Sequence, residues 1–153
     1  MNCNYSVREI QKGVNNAIGV LFKNDSFLLI NGANERSVSH KLAEYLQKEF
    51  PDWNVDCEYN RSEGETKVLE EINECSNQRT TDRIYPDIIV HIRNTKHNLL
   101  VIEIKTNSTE DPCDIKKLKL MTRIGHKFEY KLGLYIKFNK TEEPKLRWFQ
   151  KWT

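Results

Sequence analysis

Two short runs of mostly apolar residues in the middle of the chain predict a pair of β-strands, Asp87–Arg93 and Leu99–Lys105. Successive strand residues point to opposite faces, so each run divides into two sets of side chains. One set is wholly apolar and comprises Ile88, Val90, Ile92, Leu100, Ile102 and Ile104. The other set is apolar in its middle and charged at its edge, and comprises Asp87, Ile89, His91, Arg93, Leu99, Val101, Glu103 and Lys105.

The alternation also predicts a register for this hairpin. Directly opposed residues of an antiparallel pair share a face, so Asp87 can oppose Glu103 or Lys105. This needs a loop with an odd number of residues, such as Thr95–His97 or Asn94–Asn98. An even loop without a bulge would put Asp87 on the other face. The pattern therefore predicts two carboxylates and a lysine together at one end of the sheet, either as a metal site or as an ordinary ion pair at strand ends.

The first third of the chain has the three/four spacing of amphipathic helices. A helix is predicted over residues 5–22, and an apolar run over residues 27–30 ends at a turn signal. A second helix is predicted from Glu35 to about Glu49, with Asn34 as its N-cap.

The remaining elements complete an α/β pattern. A strand is predicted over residues 53–59, a polar excursion over 60–83, a basic helix from Asp114 to about Tyr130 and a strand over 132–138. The segment 146–152 fits a strand or a helical turn. The order predicts a mixed four- or five-stranded sheet with helices on both faces, whose late strand lies parallel to its neighbour through a right-handed crossover.

Composition fits a cytoplasmic protein. The 153 residues suit a single domain, residues 1–153, with a sizeable core, and 30% of them are charged. No apolar run approaches the roughly 20 residues that span a membrane, and the N-terminus has no signal-peptide pattern. The four cysteines are scattered without a CxxC pair, which favours reduced thiols and argues against a zinc site.

Charge is distributed unevenly, although the net charge is only +2. Residues 51–83 hold nine acids and four bases, whereas residues 111–153 hold eleven bases and five acids. A basic C-terminal third suits a polyanionic partner, although a solvated lysine-rich surface has the same composition.

Glu35 is a further candidate for the site. It precedes Val38 by three positions and Leu42 by seven, which puts it on the inner stripe of its helix. A carboxylate there is costly unless it has a partner, and a cation beside Asp87 and Glu103 would supply one. The alternative is a partly exposed Glu in the first helical turn, favoured by the helix dipole.

These residues resemble the motif of the PD-(D/E)XK nuclease superfamily. The resemblance rests on Asp87 after Pro86, the triplet Glu103–Lys105 and the upstream helical Glu35. The restriction-endonuclease-like core of that superfamily, α-β-β-β-α-β, corresponds to residues 35–138. The helix start at 34–36 and the strand end at 58–61 also resemble small uncharacterised bacterial members.

The resemblance implies a metal-dependent nuclease acting on DNA. Asp87 and Glu103 would bind Mg²⁺ or Mn²⁺ together with the carbonyl oxygen of Ile104. Glu35 would bind the metal directly or through water. Lys105 would orient the attacking water and stabilise the developing charge, since neighbouring carboxylates keep it protonated.

Contacts to the nucleic-acid backbone are expected from the strand ends and from the basic helix. The candidates are Arg61, Thr106, Asn107, Ser108, Lys116, Lys117 and Arg123. All four histidines, His40, His91, His97 and His126, are predicted at the surface, and His40 could join an RNA-cleaving site only if its helix is irregular.

One structural question and two alternative functions remain open beside a DNA nuclease. The aromatic residues Trp148, Phe149 and Trp152 fit core packing or the patch of a homodimer. A catalytically silent nucleic-acid- or protein-binding module of the same fold and an RNA-cleaving endonuclease are the alternatives in function.

Overall fold

The computed structural model of the protein describes residues 4–32, 34–59, 86–106 and 112–153. Within these ranges it contains three helices and five strands. In chain order they are α1 (Val7–Ile30), α2 (Glu35–Glu49), β1 (Asn54–Cys57), β2 (Ile88–His91), β3 (Asn98–Lys105), α3 (Pro112–Met121), β4 (Leu132–Asn139) and β5 (Glu142–Gln150). The predicted order of elements is confirmed, and the last segment is a strand rather than a helical turn.

The five strands form one open mixed sheet in the order β1-β2-β3-β4-β5. The pairs β1–β2, β2–β3 and β4–β5 are antiparallel. The pair β3–β4 is parallel, as expected for two strands that are joined through a helix. The carboxyl ends of β3 and β4 therefore lie side by side at one edge of the sheet.

Helices cover both faces of this sheet. The face predicted to be wholly apolar packs with α1 and α2 in the larger core, which includes Ile88, Leu100 and Ile104. The other face packs with α3 in a smaller core, which includes Ile89 and Val101. The two predicted faces are thus observed apart from Leu99, and Glu103 and Lys105 at the end of β3 lie on the α3 side.

Two predicted helix ends differ from the structure. The apolar run 27–30 belongs to α1, which continues beyond residue 22 through non-helical backbone angles at Asp25. The basic helix α3 ends at Met121 instead of near Tyr130; beyond it, Ile124 N–H donates to the carbonyl of Trp152, just after β5, at 2.7 Å. Ile124, just beyond the end of the helix, is exposed.

Candidate active site

The register of β2 and β3 brings Asp87 and Glu103 together. Ile88 lies opposite Ile102, and one step further along the same ladder puts Asp87 opposite Glu103. The predicted face is therefore observed, but the predicted odd loop is wrong. His91 pairs with Asn98, so residues 92–97, an even number, form the connection, and a bulge beside His91 restores the register. Leu99 was predicted on the charged face. Because of the bulge, its side chain points to the opposite face and packs in the larger core.

Asp87 is held by the backbone of the neighbouring strand. Its Oδ2 accepts a hydrogen bond from the N–H of Ile104 at 2.7 Å, and its side chain is within hydrogen-bonding reach of Glu103. Burial raises the pKa of Asp87, and the bond from Ile104 opposes this only in part. Two adjacent carboxylates repel each other when both are ionised, which favours a proton or a metal cation between them.

Glu103 is the most deeply buried carboxylate of the site, with 3% of the residue exposed. Burial raises the pKa of this carboxyl well above its usual value, and the negative charges of Asp87 and Asp114 add to the effect, while Lys117 opposes it. Lys117 Nζ lies 3.0 Å from Glu103 Oε1, an ion-pair distance, yet this oxygen accepts no hydrogen bond of good geometry from any described residue.

The two carboxylates belong to a larger group, which we call the acid–lysine cluster: Glu35, Asp87, Glu103, Lys105, Asp114 and Lys117. Lys117 Nζ is 3.3 Å from Asp114 Oδ1. Lys105 Nζ is 3.3 Å from Asp114 Oδ2 and 3.9 Å from Glu35 Oε1. Acids and lysines thus alternate across the ends of β3, α2 and α3.

Negative charge is in excess in the acid–lysine cluster. Four carboxylates face two ammonium groups, so full ionisation would leave two negative charges uncompensated. Burial raises the pKa of Glu35 as well, despite the nearby Lys105. Burial would lower the pKa of Lys117, but Glu103 and Asp114 outweigh it and raise this pKa. Such a group can bind a divalent cation, whose charge would balance the excess.

The donor chemistry fits a hard cation. The carboxylates of Asp87 and Glu103 and the carbonyl of Ile104 are oxygen ligands of the kind that Mg²⁺ prefers, and Mg²⁺ keeps several waters, so few protein ligands suffice. Among the residues that the structure describes, however, no three His, Cys, Asp or Glu side chains converge on one metal position. A metal at Glu103 would have to displace the Lys117 ammonium from Oε1.

Glu35 is positioned by local interactions at the start of α2. Asn34 caps the helix as predicted, since its Oδ1 accepts from Ser37 N–H at 2.9 Å. The next residue, Arg36, pairs with Glu58 at 3.1 Å, and Glu58 N–H donates to the carbonyl of Asp87 at 3.2 Å. The helix start and the strand that carries Asp87 are thus tied together. The Glu35 side chain is 36% exposed. This exposure lies between the two predicted alternatives, a carboxylate on the inner stripe of the helix and a partly exposed one in its first turn.

Two members of the acid–lysine cluster were not predicted there. Asp114, which is buried, bridges both lysines but was treated only as the start of a basic helix. Lys117 was predicted to contact nucleic acid, whereas the structure places its ammonium inside the cluster. The signal in the sequence was the helical stripe itself, because Asp114 lies four positions before the buried Leu118.

Of the remaining nucleic-acid candidates, the structure describes Thr106, Lys116 and Arg123. Thr106 directly follows Lys105 and lines a cleft at the end of the sheet. Lys116 and Arg123 are exposed on and after α3. Arg61, Asn107 and Ser108 lie outside the described residues, as does all of the polar excursion 60–83.

The histidines are only partly where they were predicted. The surface prediction for His91 is wrong: it is 3% exposed, and its Nε2 lies 2.7 Å from Asp56 Oδ2. His40 and His97 are exposed, and His126 is half-buried. His40 Nε2 pairs with Glu44 at 2.9 Å on a regular part of α2, so it does not supplement the acid–lysine cluster.

The fold and the cluster define a class: an α/β protein with a five-stranded mixed sheet and a buried group of acids and lysines at the carboxyl end of β3. Comparisons of the chain with protein-family models, with curated proteins and with solved structures gave no match. Of the helices in the described ranges, none combines the length and the apolar character needed to cross a membrane.

Proposed function

We propose that this protein is a metal-dependent nuclease of the PD-(D/E)XK superfamily, with a restriction-endonuclease-like core, that hydrolyses DNA in the cytoplasm. The observation that supports it most is Glu103, a buried carboxylate beside Asp87 in a cluster whose acids outnumber its lysines. A structural ion-pair network would gain nothing from such an excess of buried negative charge. A homodimer is part of the proposal, since one small domain offers little surface for reading a DNA sequence.

Each residue has a role in this proposal. Asp87, Glu103 and the carbonyl of Ile104 would hold Mg²⁺ or Mn²⁺, with Glu35 bound directly or through water. The bound ion would lower the pKa of a coordinated water and shield the phosphate charge. Asp114 and Glu35 hold the Lys105 ammonium at the cluster's edge, where it can stabilise negative charge on the phosphate.

Plasmid cleavage with Mg²⁺ or Mn²⁺ tests the proposal. Asp87→Ala and Lys105→Ala should each reduce the rate by roughly a hundredfold or more, because each removes a charge that acts on the reacting phosphate. Lys48→Ala, an exposed lysine at the far end of α2, is the matched control and should leave the rate unchanged. Equal rates in all four proteins would refute the catalytic assignment.

A second function is favoured by one specific observation. The Lys117 ammonium, 3.0 Å from Glu103 Oε1, already supplies a cation at the proposed ligand. A protein with this permanent internal cation would be a catalytically silent module that binds nucleic acid or another protein without metal.

Calorimetric titration with Mn²⁺ separates the two functions. A nuclease should bind Mn²⁺, and Lys117→Met should bind it several-fold more tightly because the competing ammonium is gone. The silent module would show no heat of binding at millimolar Mn²⁺ while it retains its affinity for DNA.

A further inference from the structure

Three lysines stand side by side across the sheet at the end of β3. Lys105 lies beside Lys137 in the parallel pair β3–β4, and Lys137 lies opposite Lys145 in the antiparallel pair β4–β5. Paired residues share a face, and neighbouring strands are about 4.8 Å apart. The three residues, which we call the lysine row, therefore extend about 10 Å from the acid–lysine cluster to the edge strand.

The outer part of the lysine row lacks the compensation that Lys105 has. Lys105 pairs with Asp114 and Glu35, but no described acid forms an ion pair with Lys137 or Lys145. Like charges that face each other across a sheet are destabilising. A polyanion bound along the row would remove this cost.

A cleft of about 480 Å³ adjoins the lysine row. Its polar lining residues are Thr106, Lys137, Asn139, Lys140, Glu142, Glu143 and Lys145. Glu142 accepts a hydrogen bond from Asn139 Nδ2 at 2.8 Å, which ties it to the β4–β5 turn. Because Thr106 directly follows Lys105, the cleft continues from the proposed catalytic lysine.

The opposite rim of the cleft is apolar and comes from α1. Ile30 lines the cleft and is 52% exposed, and Phe27, one helical turn earlier, is 72% exposed. Residues three apart on a helix are neighbours, so Phe27 extends the same rim. Lysines on one side and an exposed aromatic ring on the other are the combination that holds single strands, through phosphate neutralisation and base stacking.

We infer that this cleft binds a single strand of nucleic acid that runs along the lysine row to the acid–lysine cluster. The inference rests on the proposed nuclease function and names the form of its substrate. Lys137, Lys140 and Lys145 contact the phosphates, and Phe27 stacks on a base. A duplex keeps its base faces inside the stack, so it offers no surface to Phe27.

Fluorescence anisotropy with a labelled oligodeoxythymidylate, and with an oligouridylate in parallel, tests the cleft. EDTA is present throughout, so binding is measured without metal or cleavage. The double variant Lys137→Ala/Lys145→Ala should bind at least about tenfold more weakly, and the slope of log K against log salt should become shallower by about 1.4. Phe27→Ala should weaken binding about fivefold or more and leave that slope unchanged.

The matched control is Lys12→Ala/Lys48→Ala, which removes the same charge from exposed helix positions. Lys12 lies near the start of α1, eighteen positions before Ile30 at its end. Circular dichroism confirms that each variant is folded. Equal affinities of the two double variants would overturn the proposal that the cleft binds nucleic acid. A duplex that binds as tightly as the single strand, together with unchanged binding by Phe27→Ala, would overturn the single-strand assignment.

The proposal that the cleft binds a single strand and the proposal that the protein is a nuclease can be refuted separately. Single-strand binding that depends on the lysine row, with no cleavage in Mg²⁺, supports the cleft and contradicts the nuclease. Cleavage by Lys137→Ala/Lys145→Ala at the wild-type rate and affinity contradicts the cleft and leaves the nuclease standing.

Discussion

Two buried groups of charged residues lie at opposite ends of β2, and their charges are balanced in opposite ways. One is the acid–lysine cluster beside Asp87. The other is a histidine cluster, defined by Asp56, Tyr59, His91 and Arg93. In it, Asp56 accepts from Arg93 Nε at 3.0 Å and lies 2.7 Å from His91 Nε2, and the Tyr59 ring packs 4.8 Å from the His91 ring.

The difference shows how two clusters that each combine acids with basic side chains come to hold their carboxylates in different charge environments. Burial would raise the pKa of Asp56, but hydrogen bonds from Arg93 and His91 outweigh it and lower this pKa. In the acid–lysine cluster, burial prevails and the pKa values of Asp87 and Glu103 rise. A satisfied carboxylate stabilises the fold, whereas one kept short of positive charge is suited to bind a cation.

The largest expected difference between the clusters is their response to metal. Mn²⁺ at a hundred times its dissociation constant should raise the free energy of unfolding by about 2.7 kcal/mol. For a protein of this size that is a rise in melting temperature of roughly 5–10 °C. Thermal unfolding with and without Mn²⁺ measures it. Asp87→Asn should abolish this rise in melting temperature, and Asp56→Asn should retain it. If Mn²⁺ does not raise the melting temperature of the wild-type protein, the acid–lysine cluster is a structural group like the histidine cluster.

A smaller effect is expected when the satisfied cluster is broken. Asp56→Ala should lower the free energy of unfolding by about 2 kcal/mol, because it removes the carboxylate that pairs with the buried His91 and with Arg93. Urea unfolding measures this loss, with Glu44→Ala, an exposed member of surface pairs, as the control.

The loss should also depend on pH. The folded-state pKa of Asp56 is below its ordinary value of 3.8, so its contribution is present above that value and disappears as the pH falls through the folded-state pKa. Asp56→Ala should therefore approach the wild type in strongly acidic solution. An equal loss at pH 7 and pH 2 would show that packing, and not charge, explains the effect.

The sequence predicted the part of the site that depends on local pattern. Strand alternation put Asp87 and Glu103 on one face, and the capping preference of Asn34 located the helix that carries Glu35. The bulge beside His91 lay beyond this reasoning, since it is decided by how the strands pair and not by alternation within either of them.

The rest of the site depends on contacts between distant segments. Asp114 is buried and Lys117 half-buried because α3 docks on the sheet; the helical stripe marks their side of the helix but not the acids that they meet there. His91 was misplaced for the same reason, since its partner Asp56 comes from β1, whose pairing with β2 was not predicted. Buried charges are recognised only once their partners are known.

The smallest expected effect has the opposite sign. Glu103→Gln should stabilise the metal-free protein at neutral pH by about 1 kcal/mol, because it removes a buried charge from a cluster with excess negative charge. Above its raised pKa, the ionised Glu103 costs stability; as the pH falls through that value the folded state takes up a proton and stability increases. Melting temperatures in EDTA, with Glu44→Gln as an exposed control, should show this gain and its decrease toward acidic pH. If Glu103→Gln destabilises the protein instead, the ion pair with Lys117 outweighs the cost of burial, and the acid–lysine cluster is a structural unit like the one around Asp56.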